Sequence, residues 1–151
     1  MGTKHPGSCP PDIVSYVASL ERRLAPKAVI LFGSQARRDT HQASDYDLLV
    51  VADNLPEDYW RRIDLLWQDK PPLVDVLGFT EEEMWACLHR GLILDALLEG
   101  HPLVGEIGAW RRRARRYLRR HGLIKKWFGY VRRSPPAGGE ADHAPDNALD
   151  R

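Results

Sequence analysis

Thiols are scarce in this chain. Cys9 and Cys87 are the only cysteines among 151 residues, and no metal-site or disulfide-framework spacing links them. Two plain thiols fit a reducing compartment. No apolar run approaches the roughly 20 residues that span a bilayer. The amino end, MGTKHPGSCPP, lacks the apolar core of a signal peptide. The expectation is a cytoplasmic protein without membrane association. His5, His41, His89, His101, His121 and His143 show no ligand spacing and read as surface or loop residues. No internal repeat is visible.

What is present is ordinary in bulk. Hydrophobic residues make up 43% of the chain, charged residues 28%, and the net charge is +1. These values describe a globular protein, and 151 residues suffice for one domain with a real core.

The chain is organised around residues 28 to 52. Ala28 to Phe32 reads as a buried strand and Gly33-Ser34 as a turn. A short polar helix and loop follow, then a second strand from about Asp45 through Val51. Residues two apart on a strand share a face, so Asp45 and Asp47 project together while Tyr46 points away. Two converging carboxylates suit a hard divalent cation such as Mg²⁺, which takes oxygen ligands and shares them with substrate phosphates. Upstream, glycine at the helix start lets a phosphate approach the backbone, and the free N–H groups there favour an anion. A phosphate cradle beside a metal-holding carboxylate pair is the chemistry of transfer from a nucleoside triphosphate.

Gly33-Ser34, ten residues, then Asp45-Tyr46-Asp47 resembles the GS-x10-DxD signature of the DNA polymerase β-like nucleotidyltransferase superfamily. The chain is similar in particular to the small, single-domain minimal nucleotidyltransferases. The resemblance covers about residues 12 to 104 and implies an α/β (α+β) fold, a small mixed sheet flanked by helices. It also implies a two-metal Mg²⁺ site and ATP as nucleotide donor. Gly33, Ser34 and Arg37 would then bind the nucleotide. The third acidic residue of the superfamily comes from a later strand, and Asp75 is the matching position. Asp45, Asp47 and Asp75 would be both the metal ligands and the catalytic residues. One departure is Arg38, where many relatives carry glycine. Arg38 either strains a backbone that needs positive φ or adds a phosphate contact. Asp39 and Ser44 read as capping or turn residues.

Bottom-up, Asp75 sits inside the apolar run Leu73-Val74-Asp75-Val76-Leu77. Buried, ionised and unpaired, it would cost several kcal/mol. A shared metal would hold it; a solvated or backbone-bonded aspartate at a strand edge is the plainer alternative.

Elsewhere the pattern alternates helices with strands. Residues 1–11 read as a disordered end. Asp12 is a candidate N-cap for a helix with an apolar stripe of Ile13, Val14, Tyr16, Val17, Leu20 and Leu24, closed by Pro26. Pro56-Glu57-Asp58 opens a second helix with Trp60, Ile63, Leu66 and Trp67 on one face. Thr80 and Glu83 form a capping box for one helix carrying Met84, Trp85, Leu88, Leu92, Ala96 and Leu97, stopped by Gly100. The result is a nucleotidyltransferase domain over 12–104, a sheet with helices on one side.

Residues 105–133 read as a basic helical extension. Eleven of the 22 Lys and Arg residues lie between Trp110 and Arg133, with Trp110, Ala114, Tyr117 and Leu118 at helical spacing. Gly122 breaks the helix, and Leu123, Ile124, Trp127 and Phe128 begin a shorter element. The basic face could track nucleic acid, dock an acidic partner, steer NTP, or simply be solvated. Residues 134–151 read as a disordered tail.

The resemblance implies an acceptor class that spacing and composition do not. Many small relatives are antitoxins that transfer AMP from ATP to a tyrosine hydroxyl of a HEPN toxin. The lack of a second substrate domain favours a protein acceptor over a small molecule held in an enclosed pocket. The alternatives are an aminoglycoside-type small-molecule transferase and a non-catalytic RNA- or partner-binding module using the arginine-rich helix.

Overall fold

The computed structural model describes residues 9–33, 46–127 and 129–134. A four-stranded sheet has the order β3 (Val74–Phe79), β2 (Tyr46–Val51), β1 (Ala28–Phe32), β4 (His101–Val104), and a two-stranded hairpin of β5 (Leu123–Lys126) and β6 (Gly129–Arg132) stands apart from it.

The first helix, α1 (Pro11–Leu24), begins two residues earlier than the Asp12 cap predicts. Pro10 occupies the N-cap, and Asp12 lies in the first turn, where the helix dipole favours its charge. Of its apolar stripe only Val14 is exposed. The strand β1 (Ala28–Phe32) is buried along its whole length, as befits an apolar run at the centre of a sheet. It pairs antiparallel with β2 (Tyr46–Val51) on one side and with β4 (His101–Val104) on the other. The crossover from β2 through α2 (Tyr59–Trp67) returns the chain to β3 (Val74–Phe79), parallel to β2 and at the sheet edge.

Helices cover both faces of the sheet, not one. Val29, Leu31, Leu48, Val50 and Val74 pack against α1 and against Leu66 of α2. On the other face Ala28, Ile30, Phe32, Leu49 and Val51 meet Met84 of α3 (Glu81–Ala86). The same cluster takes in Ile93, Leu94 and Leu97 of α4 (Gly91–Glu99) and Ala114 of α5 (Gly108–Arg120). The alternation along β1 and β2 requires this, because every residue of β1 is apolar and both of its faces need cover.

Polar contacts join the helices of the first face. The Tyr16 hydroxyl donates to the Leu66 carbonyl at 2.5 Å, and Arg23 donates to the carbonyls of Leu65 and Gln68. The α2 stripe turns out differently from its sequence pattern. Leu66 is buried, yet Trp60 is 70% and Trp67 57% exposed. Asp58 is its N-cap, accepting from the Arg61 N–H at 2.9 Å.

The Thr80–Glu83 capping box is present, each side chain meeting the other residue's backbone N–H. The single helix expected after it divides at Cys87–Arg90, and α4 restarts at Gly91. A Cβ on Gly91 would lie 3.2 Å from the Tyr130 ring, so α4 begins where the hairpin presses on it. Gly100 closes α4 as its pattern predicts.

The carboxyl extension is helical only to Arg120. After Gly122, at φ +61°, β5 (Leu123–Lys126) and β6 (Gly129–Arg132) form an antiparallel hairpin. Tyr130 Oη donates to Asp95 at 2.9 Å, and Lys125 pairs with the same carboxylate, fastening the hairpin to α4. Burial and that bond push the Tyr130 phenol well above its usual range.

Candidate active site

Two strand registers assemble the site. The antiparallel β1–β2 ladder sets Phe32 opposite Asp47, and the parallel β2–β3 ladder sets Asp47 opposite Asp75. Register partners project to the same face, so the two carboxylates are side by side on neighbouring strands, which lie about 4.8 Å apart. Both occupy the beginnings of their strands, where burial along β2 falls from complete to partial. Core side chains further along β2, Leu49 and Val51, share their face. The site is therefore the rim of that face, with a rigid core behind it.

Gly33 completes the rim. It follows β1 at φ +88°, a left-handed conformation that glycine alone adopts without cost. A Cβ placed there would come within 2.5 Å of Asp47 Oδ2. The carboxylate thus occupies the space that any side chain at position 33 would fill. This single contact accounts for glycine at that position twice over, through backbone conformation and through volume.

Asp75 is exposed, on the outer strand. The premise that burial would force a counter-ion on it does not hold, because the edge position leaves its carboxylate in solvent. Among the described residues it makes no hydrogen bond or ion pair. Ser34, Arg37, Arg38, Asp39, Ser44 and Asp45, which the sequence also brings forward, lie outside the described residues, as does the short helix expected between the strands.

The donor set suits a hard divalent cation. Asp47 and Asp75 offer oxygen donors from adjacent strands of a stiff sheet. Among the described residues no cluster of three or more His, Cys, Asp or Glu side chains is placed to hold a metal. The pair formed by Asp47 and Asp75 is thus the part of the expected triad that the described residues contain.

The opposite end of the sheet carries a different charge cluster. Lys27 pairs with Asp53 and Glu81, each at 2.7 Å, joining the start of β1, the end of β2 and the first turn of α3. The hydrogen bonds that Lys27 donates to Asp53 and Glu81 push its ammonium up to about 12 and hold both carboxyls below their usual range. Its charges are mutually satisfied, whereas the Asp75 carboxylate is not.

Residues 13–102, spanning all four strands of the main sheet except the end of β4, match the nucleotidyltransferase domain family. The chain belongs to that family. The minimal nucleotidyltransferase resemblance of its Gly-Ser and Asp-x-Asp motifs agrees with this membership, as does the mixed sheet flanked by helices.

Solved structures of similar outline accompany this nucleotidyltransferase. A toxin–antitoxin crystallised with AMP-PNP is 20% identical, covering 70% of this chain and 86% of its own, with a TM-score of 0.49. A mutant MntA–HpeT toxin–antitoxin is 17% identical over 72% of this chain and 84% of its own, with a TM-score of 0.47. A protein from Sulfolobus solfataricus assigned as a nucleotidyltransferase is 26% identical over 52% of this chain and 82% of its own, with a TM-score of 0.36. No curated protein matches the sequence. Among the described residues of this nucleotidyltransferase, no helix is long and apolar enough to cross a membrane.

Proposed function

We propose that this nucleotidyltransferase moves AMP from ATP to a hydroxyl group of a protein, in the manner of an antitoxin that modifies a tyrosine of a HEPN toxin. The observation that carries the assignment is the pairing of Asp47 with Asp75 against Gly33 at an open sheet rim. The triphosphate lies along the Gly33 turn, with Ser34 and Arg37 as further hydrogen-bond donors to its phosphates. The acceptor oxygen attacks the α-phosphorus, a new P–O bond forms, and the bond to the β-phosphate bridging oxygen breaks. Pyrophosphate leaves, and Asp75 takes the acceptor's proton.

Asp47 and Asp75, with Asp45, would hold Mg²⁺. Bound there, the ion would neutralise the charge that develops on the phosphates and lower the pKa of the attacking hydroxyl.

A protein acceptor suits the exposure of the rim. Asp75 stands on an edge strand, and the neighbouring Leu73 and Leu77 are 64% and 37% exposed. An apolar, open border beside the carboxylates gives a folded partner a surface on which to seat its hydroxyl.

The test is incubation with ATP labelled on the α- or the γ-phosphate, Mg²⁺ and host lysate, with Asp45→Asn/Asp47→Asn protein as control. Transfer of the α-label alone to one discrete protein, lost in the control, is the expected result. Label confined to a small molecule would replace the protein acceptor with an aminoglycoside-type one. Absence of transfer from any of the four NTPs would overturn nucleotidyl transfer itself.

A further inference from the structure

Charge is divided sharply within the chain. Residues 108–133 contain eleven Lys and Arg and no Asp or Glu, a net +11, while the other 125 residues hold 11 cations against 21 acids, a net −10. Some of the eleven have structural uses. Arg111 turns inward to donate to the carbonyls of Leu97 and Gly100 at 2.7 and 2.8 Å, closing the end of α4. Lys125 pairs with Asp95 and Glu99.

Most of the others do not. Arg112, Arg113, Arg115, Arg116, Arg119 and Arg120 are all exposed along α5 and, among the described residues, enter no ion pair. Arg113 stacks over the Trp85 ring, 3.9 Å from its centroid, but stability does not account for the density of the rest. Arginines at i,i+4, such as Arg112 with Arg116 and Arg115 with Arg119, repel one another. Of the six, only Arg119 and Arg120 lie in the last turn, where the helix dipole favours cations.

Geometry narrows the role further. The end of α5 and the base of the hairpin enclose a cleft of about 400 Å³ lined by Arg115, Leu118, Arg119, Gly122, Leu123 and Arg133. The Arg133 N–H donates to the Gly122 carbonyl at 2.5 Å, which locks the two elements together. Three arginines from two elements therefore share one cleft, which has no acidic lining residue among the described residues. At the far end of the hairpin Trp127 is 94% exposed, next to the exposed Lys126.

We infer that α5 and the β5–β6 hairpin form a binding surface for single-stranded nucleic acid, with Arg115, Arg119 and Arg133 holding a backbone phosphate in the cleft between them. Charge complementarity supplies the affinity: uncompensated guanidinium groups release counterions from a phosphate chain and fork onto its oxygens. The exposed indole supplies a face on which a base stacks while neighbouring cations hold the backbone. The surface lies in the extension beyond residues 13–102, outside the matched family domain.

The test is fluorescence anisotropy with labelled 12-nucleotide RNA and DNA strands, titrated with full-length protein from 50 to 300 mM KCl. Binding of either strand is expected, with the logarithm of the affinity falling linearly in log salt; the arm that binds tighter names the sugar. Arg115→Gln/Arg119→Gln/Arg133→Gln, all exposed or cleft-lining changes whose fold is checked by circular dichroism, should reduce the salt slope by about 0.7, the value for one lost phosphate contact on a single strand. Trp127→Ala should weaken binding about tenfold with the slope unchanged. A slope untouched by the triple variant, no binding at 50 mM KCl, or equal competition by polyglutamate would overturn the inference, the last in favour of an acidic protein. None of these readouts requires nucleotidyl transfer, so the surface and the activity stand or fall separately.

Discussion

Asp47 and Asp75 are direct register partners on parallel strands, the one on β2 and the other on the edge strand β3. Their side-by-side placement follows from the crossover through α2, which brings two distant carboxylates to one rim. Neither carboxylate supports the core, so function and stability should separate. Asp75→Asn is expected to lower nucleotidyl transfer by on the order of a hundredfold or more, the scale of losing an electrostatic partner to a charged transition state. An exposed substitution of this kind should leave stability within about 0.5 kcal/mol. Turnover at saturating Mg²⁺ together with a urea midpoint decides it. Full activity with unaltered metal dependence would remove Asp75 from the site.

Gly33 predicts the reverse coupling. Gly33→Ala introduces a Cβ within 2.5 Å of Asp47 Oδ2 at a residue held at φ +88°. The left-handed conformation alone costs an L-residue about 1–2 kcal/mol, and the displaced carboxylate leaves its register position. Thermal stability and transfer should both fall, in contrast with the Asp75 variant. Calorimetry alongside the labelled-ATP assay reads both; a variant that loses activity at wild-type stability would mean that the turn relaxes without strain.

Legibility followed patterning. The strands β1, β2 and β3 stand out because each is a short apolar run bounded by Gly, Pro or Asp. The rim could be read because Gly-Ser and Asp-x-Asp carry their chemistry in the residue types. Topology was not legible. Nothing local in Leu73-Val74-Asp75-Val76-Leu77 says that the strand lies at an edge, and that position alone makes Asp75 exposed rather than buried. β4 was hidden because His101 and Pro102 lack strand character, and β1 recruits them only once α4 has ended at Gly100. The division between α3 and α4 was invisible because the apolar spacing from Met84 to Leu97 runs across it. The hairpin was hidden behind Lys and Arg residues that suit either element. Trp60 and Trp67 have the spacing of a buried stripe, yet α2 turns only Leu66 fully inward.

Tyr16 offers a test of how the first face is held. Its hydroxyl donates to the Leu66 carbonyl at 2.5 Å, and burial pushes the phenol up to about 12 against the lowering influence of Arg23. Tyr16→Phe should cost about 1–3 kcal/mol at pH 7 by orphaning that carbonyl. The phenol ionises near pH 10 in the unfolded chain and only near 12 in the folded one, so the folded state retains its proton longer. The stability from this group is complete below pH 10 and is lost between 10 and 12. Urea midpoints taken from pH 9 to 11.5 should fall more steeply for the native chain than for the phenylalanine variant. Parallel curves would show that the hydroxyl is not in the buried bond.

Glu83 should govern part of the acid limb. Its carboxylate bonds Arg62 at 2.7 Å and closes the capping box on the Thr80 N–H. The Arg62 bond first, then the backbone bond of Thr80, hold it below its ordinary value of 4.5 in spite of some desolvation. With the folded pKa depressed, the unfolded chain binds its proton first as pH falls. The contribution is therefore whole above pH 4.5 and disappears as pH drops through the lower, folded value. Side-chain exposure of 41% at Glu83 limits the ion pair to at most about 1 kcal/mol. Glu83→Gln keeps an acceptor for Thr80 but removes the charge. It should be less stable than the native chain at pH 7, with the two curves converging as pH falls below 4.5. Unfolding midpoints in urea across pH 3 to 7 provide the check, and a constant offset over that range would assign the loss to shape rather than charge.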